Sequence, residues 1–333
     1  MSFLIDPPLL LLPSLLNIGN VGNFYFELRR KLFHLFFGLL LIFILFYSGR
    51  MNLIIFLCVF LFSGCIQGIA VSTVGNIVGD GFTAITGESD LDFAEKALPG
   101  NIKLLEVMLQ NDPDNTQLLV LTSQGYSSYA LAYLEDSLQD RAREFYVRGR
   151  DFGLRILRQD KELARALDGT VDDLKSVLEK RDKDLVPGVF WTAFGWGNYV
   201  YLSQDNPDAI ADLPRAEALM EFVVRHDSTY YYGGADIFLG TSLGSRPRIL
   251  GGNTDLARKH FEKALRINGG RFLMTYVYMA RSVAAQTLDE ELFDKCLRFV
   301  DEASLEILPE FRFANAIAKK KAQRLQARRA DLF

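Results

Sequence analysis

The chain has 333 residues, 49% of them hydrophobic, and a formal net charge of −4. That length suits one large domain or two small ones, and no basic excess points to nucleic acid. Three cysteines and three histidines offer neither a disulfide framework nor a zinc spacing.

The apolar content is concentrated at the N-terminus. "LFHLFFGLLLIFILFYSG" (32 to 49) and "MNLIIFLCVFLFSGC" (51 to 65) are almost entirely apolar. Three readings of this region stand side by side. Residues 32 to 48 form a membrane helix, although the run is shorter than the roughly 20 residues a bilayer needs. Alternatively, the two runs make a hairpin, with only Ser48-Gly49-Arg50 between them. The third reading, which we favour, is a lipoprotein signal. Phe62-Ser63-Gly64-Cys65 sets two small residues before a cysteine, directly after an apolar stretch, with Phe62 where leucine is usual. Cys65 then carries the lipid. Arg29, Arg30 and Lys31 lie far upstream for a basic n-region, and a start at Met51 leaves a short signal without one. Residues 1–64 are therefore set apart as a signal or extension, probed no further for fold. Residues 65–90 are a lipidated start followed by a tether or first helix.

Residues 91–333 read as helices throughout. "NIKLLEVMLQ" has apolar residues at 102, 104, 105, 108 and 109, one helical face. Asp112-Pro113-Asp114-Asn115 stops it. Further helical segments follow, from "TQLLVLTSQGYSSYALAYLED" to "DEELFDKCLRFVDEA", joined by short stretches rich in Asp, Asn, Pro and Gly. Cys296 falls on the apolar side of the last and reads as a buried structural thiol. The acidic pairs at 172–173 and 289–291 read as solvated helix starts, and the lysines and arginines after Ala318 as a solvated helix end.

A small-large-small frame recurs: Asn101-Leu105-Met108, Ala142-Tyr146-Gly149, Ala216-Met220-Val223 and Ala257-Phe261-Ala264. It suits the second helix of a tetratricopeptide (TPR) unit, where small residues admit a neighbouring helix and the large one fills the gap. The first and last pairs of frames are each about one stretched repeat apart, and the middle gap is about two. Residues 160 to 185 hold an insertion or a decayed repeat. The expected fold is all-α, about four TPR-like hairpins in a compact solenoid.

Chemistry is thin. "GNIVGDG" (75 to 81) lacks the lysine of a phosphate loop. Gly240-Thr241-Ser242-Leu243-Gly244 fits G-x-S-x-G, and Asp255 and His260 follow in a tempting order. That motif needs a strand before the serine and a strained turn at it, whereas here it lies within a helix. Gly240 and Gly244 are better read as close-packing positions. The chain reads as no enzyme, with no cofactor and no metal.

The distinctive chemistry is aromatic. "VFWTAFGWGNYVYL" (189 to 202) is apolar nearly all round and holds the only tryptophans, Trp191 and Trp196. Such a helix is buried or lines a cavity. Trp191, Trp196, Asn198 and Tyr199, with the junction Tyr230, Tyr231 and Tyr232, are the candidate border of an apolar channel. Arg246 joins them as a ligand or partner contact. Bulky residues at Gly195 or Ala193 are expected to enter that channel if it is open.

The chain resembles the T component associated with TRAP transporters. The resemblance rests on Ala97-Leu98-Pro99 with Lys103-Leu104-Leu105-Glu106, and on Asp112-Pro113-Asp114-Asn115 and Gly125-Tyr126. It is densest in Tyr230-Tyr231-Tyr232-Gly233-Gly234, Arg246-Pro247, Leu250-Gly251-Gly252 and His260-Phe261-Glu262-Lys263-Ala264-Leu265. The resemblance implies a noncatalytic, lipid-anchored periplasmic protein on the inner or outer membrane. It also implies a periplasmic solute-binding protein as partner, an apolar or organic-acid ligand, and homo-oligomers, plausibly trimers. The alternative is a TPR lipoprotein scaffold for envelope or outer-membrane assembly.

Overall fold

A computed structural model describes residues 36–37 and 84–333. The lipobox and Cys65 lie outside the described residues, as do both apolar runs apart from positions 36–37. Among the described residues all regular structure is helical, and no helix is long and apolar enough to cross a membrane.

The sequence writes the helix starts into its polar joins. In α1 (Leu91–Asn111), the Asp90 carboxylate accepts from the amides of Asp92 and Phe93 at 3.0 and 2.9 Å. Asn115 caps α2 (Thr116–Tyr129) through the Leu118 amide. α3 spans Gln139–Leu157. Two short helices, α4 (Lys161–Leu167) and α5 (Val171–Leu178), fill the stretch read as an insertion. Thr170 and Asp173 form a reciprocal capping box at α5. The main sequence continues with α6 (Val186–Tyr201), α7 (Pro207–Ala211), α8 (Leu213–His226) and α9 (Tyr230–Gly244). It closes with α10 (Thr254–Asn268), α11 (Met274–Met279), α12 (Glu290–Glu302), α13 (Arg312–Ala327) and α14 (Arg329–Leu332). Asp289 caps α12, with Glu290 and Glu291 in its first turn. Acidic side chains there favour the partial positive charge of the helix start.

Successive helices pack as neighbours: α2 on α3, α3 on α6, α6 on α8, α9 on α10. This pairing is consistent with TPR-like hairpins. The recurring frame accounts for it. Ala257, Phe261 and Ala264 of α10 are wholly buried, as are Ala142 and Tyr146 of α3 and Ala216, Met220 and Val223 of α8. A Cβ on Gly240 would lie 3.0 Å from the Phe261 ring, so glycine on α9 lets the aromatic of α10 seat itself. Truncating such a buried ring costs about 3–5 kcal/mol. In α1, whose first turns precede the predicted start, Leu105 and Met108 are buried and Asn101 is half-buried. Cys296 is buried and free, its thiol pushed up to about 11 by burial.

A charged clamp ties α13 to the turn at Glu135 and Asp136, a few residues beyond α2. Lys321 of α13 reaches Glu135 at 2.5 Å and Asp136 at 3.0 Å, and Arg324 also meets Asp136. Glu135 further accepts from the buried Tyr146 hydroxyl. Burial alone would push the Asp136 carboxyl up, but the two cations outweigh it and hold it low. α13 packs on α1, α11 and α12 and supplies Phe313 and Ile317 to the cavity described next.

Candidate functional site

The inward faces of α2, α3, α6, α8, α9, α11 and α13 border a half-open cavity of about 680 Å³, well within the size of small-molecule sites. α6 supplies Phe190, Trp191, Phe194, Asn198 and Tyr201. Apart from Phe190, these recur at three- and four-residue steps and so share one face of the helix. α9 adds Tyr231, Ile237 and Phe238, α11 adds Met274 and Tyr278, and α13 adds Phe313 and Ile317.

Two helices change pitch where they meet the cavity. α2 runs into a π-helical turn at Ala130–Leu134, and α11 into another at Ala280–Ala284. A π turn accommodates one extra residue and displaces side chains from the regular helical stripe. Leu131 and Ala132 of the first turn, and Arg281 of the second, all face the cavity.

The tyrosine junction is a left-handed turn. Tyr231, Tyr232 and Gly233 have φ of 49°, 59° and 79°, a region that costs side-chain-bearing residues about 1–2 kcal/mol each. Aromatic packing holds them there. The Tyr231 ring meets Trp191 edge-on at 5.0 Å and Phe311 at 5.4 Å, and the Tyr232 ring stacks on Phe272 at 5.6 Å. Asn268 donates to the Tyr232 carbonyl at 3.2 Å and secures the turn. Burial raises the Tyr231 phenol well above its ordinary range and pushes Tyr230 up to about 12, so both stay neutral.

Of the residues expected at the site, Trp191, Asn198, Tyr231 and Arg246 line the cavity, and Trp196, Tyr199, Tyr230 and Tyr232 do not. Helical pitch is the reason: positions 196 and 199 turn away from the face of 191, 194 and 198. Trp196 donates to Asp212 at 3.1 Å, toward α8. The Arg150 guanidinium of α3 lies over the rings of Trp196 and Tyr199. Tyr230 packs edge-on against Phe190 at 5.1 Å. Asn198 donates to the Phe194 carbonyl of its own helix at 2.8 Å, so its amide is satisfied without a ligand.

Gly195 is not at the cavity. Its Cβ would meet the backbone of α3, 2.8 Å from the Arg150 nitrogen, and Ala193 is fully buried in the core. The α6 glycine that faces the cavity is Gly197, two positions on.

The G-x-S-x-G serine also lines the cavity, but in mid-helix. Ser242 donates to Glu217 at 2.7 Å. His260 is bound instead to the buried Asp236 at 2.8 Å, with Lys263 at 3.0 Å from the same carboxylate. Asp255 sits in the first turn of α10. No hydrogen bond joins Ser242 to His260 among the described residues, and no side-chain cluster there could hold a metal ion.

Residues 87–333 match the family model of the TRAP transporter T-component. The chain belongs to that family. It is therefore an accessory component of TRAP transport. Among curated proteins no relative matches.

Arg281, Tyr278 and Tyr201 escaped the sequence reading. A signal was present: Arg281 is the only charged residue between Phe272 and Leu288. A lone arginine in an apolar helix is a marker of a buried cation, and the π turn that aims it leaves no comparable trace in residue pattern.

Proposed function

We propose that this T-component is a lipid-anchored periplasmic subunit that binds the solute-binding receptor of a TRAP transporter and holds an apolar or organic-acid ligand in the α6–α9–α11 cavity. The observation that carries the ligand reading is the cavity: a half-open, aromatic-walled space bordered by seven helices. Family membership supports the transporter context. Cys65 is the proposed anchor, and a homo-oligomer the proposed assembly.

The receptor reading is tested by affinity capture of the full chain from detergent-solubilised membranes. Recovery of a periplasmic solute-binding protein in stoichiometric amount is the expected outcome. Capture of outer-membrane assembly factors without such a receptor would favour the envelope scaffold and overturn the transport reading. The ligand reading is tested separately by extracting the purified protein with organic solvent and analysing the extract by mass spectrometry for small apolar acids.

A further inference from the structure

Three arginines reach the cavity: Arg143, Arg246 and Arg281. Two are already engaged. Arg143 donates to the Leu202 carbonyl at 2.9 Å and pairs with Asp140. Arg246 pairs with Glu217 and donates to the Ser242 carbonyl at 3.0 Å. Arg281 differs. It makes no ion pair and donates no hydrogen bond among the described residues, and its Nε is shut away from solvent without a partner.

Its guanidinium carbon lies over two tyrosine rings. The Tyr201 ring lies 4.6 Å away and the Tyr278 ring 4.7 Å away. Aromatic faces attract a cation, but they do not replace an oxygen acceptor for its N–H groups. Burial works against the charge, and the phenols with Glu135 outweigh it, so the guanidinium stays protonated. Glu135 does not neutralise it by contact, being held by Lys321 and Tyr146. An arginine with an orphan donor in an apolar site is costly unless something supplies acceptors. The cavity walls combine apolar groups such as Trp191, Phe194 and Ile317 with uncharged polar ones such as Gln139, Gln204 and Gln286, and Asp205 is the one acidic lining residue.

We propose that Arg281 is the seat for the carboxylate of a small amphipathic acid, whose apolar body occupies the aromatic part of the cavity. The planar guanidinium fork presents donors in the geometry a carboxylate accepts, and such charge-assisted pairs are the stronger kind of hydrogen bond. Tyr201 and Tyr278 are positioning residues: their rings hold the guanidinium in place by cation–π contact. This inference rests on the ligand reading above and narrows it to a head group and a residue.

The test uses two probes of matched chain, decanoate and decanol, titrated below their micelle concentrations while Trp fluorescence is followed; Trp191 lies in the wall. Wild-type protein is expected to bind decanoate about tenfold or more tightly than decanol, the scale of one charge-assisted hydrogen bond. R281Q is expected to bind decanol as before and to lose the preference for decanoate. R281K, with a point charge in place of the fork, should retain part of it. Equal wild-type affinity for acid and alcohol overturns the carboxylate seat and leaves the apolar cavity standing. An undiminished preference in R281Q overturns the assignment to Arg281. Binding of neither probe overturns the ligand reading and the seat with it. If R281Q fails to fold, the wild-type comparison together with R281K decides.

Discussion

The backbone of Gly195 on α6 rests directly against that of Tyr146 on α3: a Cβ at Gly195 would lie 2.9 Å from the Tyr146 carbonyl oxygen. Backbone cannot swing aside as a side chain can. Gly195→Leu should therefore destabilise by roughly 1–3 kcal/mol through overpacking, and Ala193→Phe likewise. Gly197→Ala should behave differently. Its Cβ would collide with the Phe238 ring, a cavity-lining side chain with space to turn into. That variant is expected to melt close to wild type and to bind decanoate more weakly. Thermal unfolding of the three variants separates the cases. A Gly195→Leu protein as stable as wild type would contradict the close helix contact.

A pH-dependent contact lies in the insertion. Arg181 reaches Asp160 with Nε at 2.6 Å and extends to Glu162 at 2.8 Å, closing the α4–α5 pair. The Asp160 carboxyl is held down to about 2, first by the Arg181 hydrogen bond and then by the Leu163 amide. An unfolded aspartate titrates near 3.9. The folded value is the lower one, so the stabilisation is complete above about pH 4 and disappears as pH falls through about 2. Asp160→Asn keeps a capping side chain and removes only the charge. It should lower the melting temperature at pH 7 and make little difference near pH 2. A deficit unchanged by acid would show that the charge is not what matters.

The hydrolase-like pentapeptide yields an equally direct expectation. Ser242 donates a hydrogen bond to Glu217, whose carboxylate is already paired with Arg246, and no histidine bonds to it among the described residues, so the serine lacks the base that would activate it. A fluorophosphonate ester should leave the protein unlabelled. Stoichiometric labelling that Ser242→Ala abolishes would return the enzyme reading to consideration.

Much of the architecture was legible because packing leaves a period in the sequence. Ala257, Phe261 and Ala264 announce a buried face, and Asp90, Asn115, Thr170 and Asp289 announce helix starts. The cavity was half legible. The apolarity of 189 to 202 pointed to α6, but composition could not say which side chains faced inward. Trp196 and Tyr199 are as aromatic as Trp191, and only the helical angle separates them. α13, which supplies Phe313 and Ile317, is joined to Glu135 through Lys321 across 186 residues of sequence. A pairing that distant has no local signature, and neither has the π turn that delivers Arg281.

The anchor is tested without reference to the fold. If Cys65 becomes the acylated first residue, cells fed an alkyne-bearing palmitate analogue should label the wild-type protein and not Cys65→Ser. The variant should also stay at the length of the unprocessed chain. Equal labelling of both would place the lipid elsewhere or remove it.

The left-handed tyrosines give the sharpest reversal of an ordinary rule. Within a regular helix glycine is worse than alanine by about 1 kcal/mol. Tyr231, at φ 49° and ψ 47°, has the opposite requirement: alanine keeps the Cβ that this region disfavours, and glycine does not. Truncation to either residue removes the same ring from its contacts with Phe190, Trp191, Phe272 and Phe311. The packing loss is thus common to both variants, and their difference isolates the backbone. Tyr231→Gly should be more stable than Tyr231→Ala by about 1 kcal/mol, a few degrees in melting temperature for a domain of this size. Tyr232, at φ 59°, should show the same order. The two positions part company in binding. Tyr231 lines the cavity and Tyr232 does not, so decanoate affinity should fall on truncation at 231 and hold at 232. Alanine more stable than glycine at both positions would mean that the junction is ordinary helix, and that the ring packing does not hold a left-handed turn.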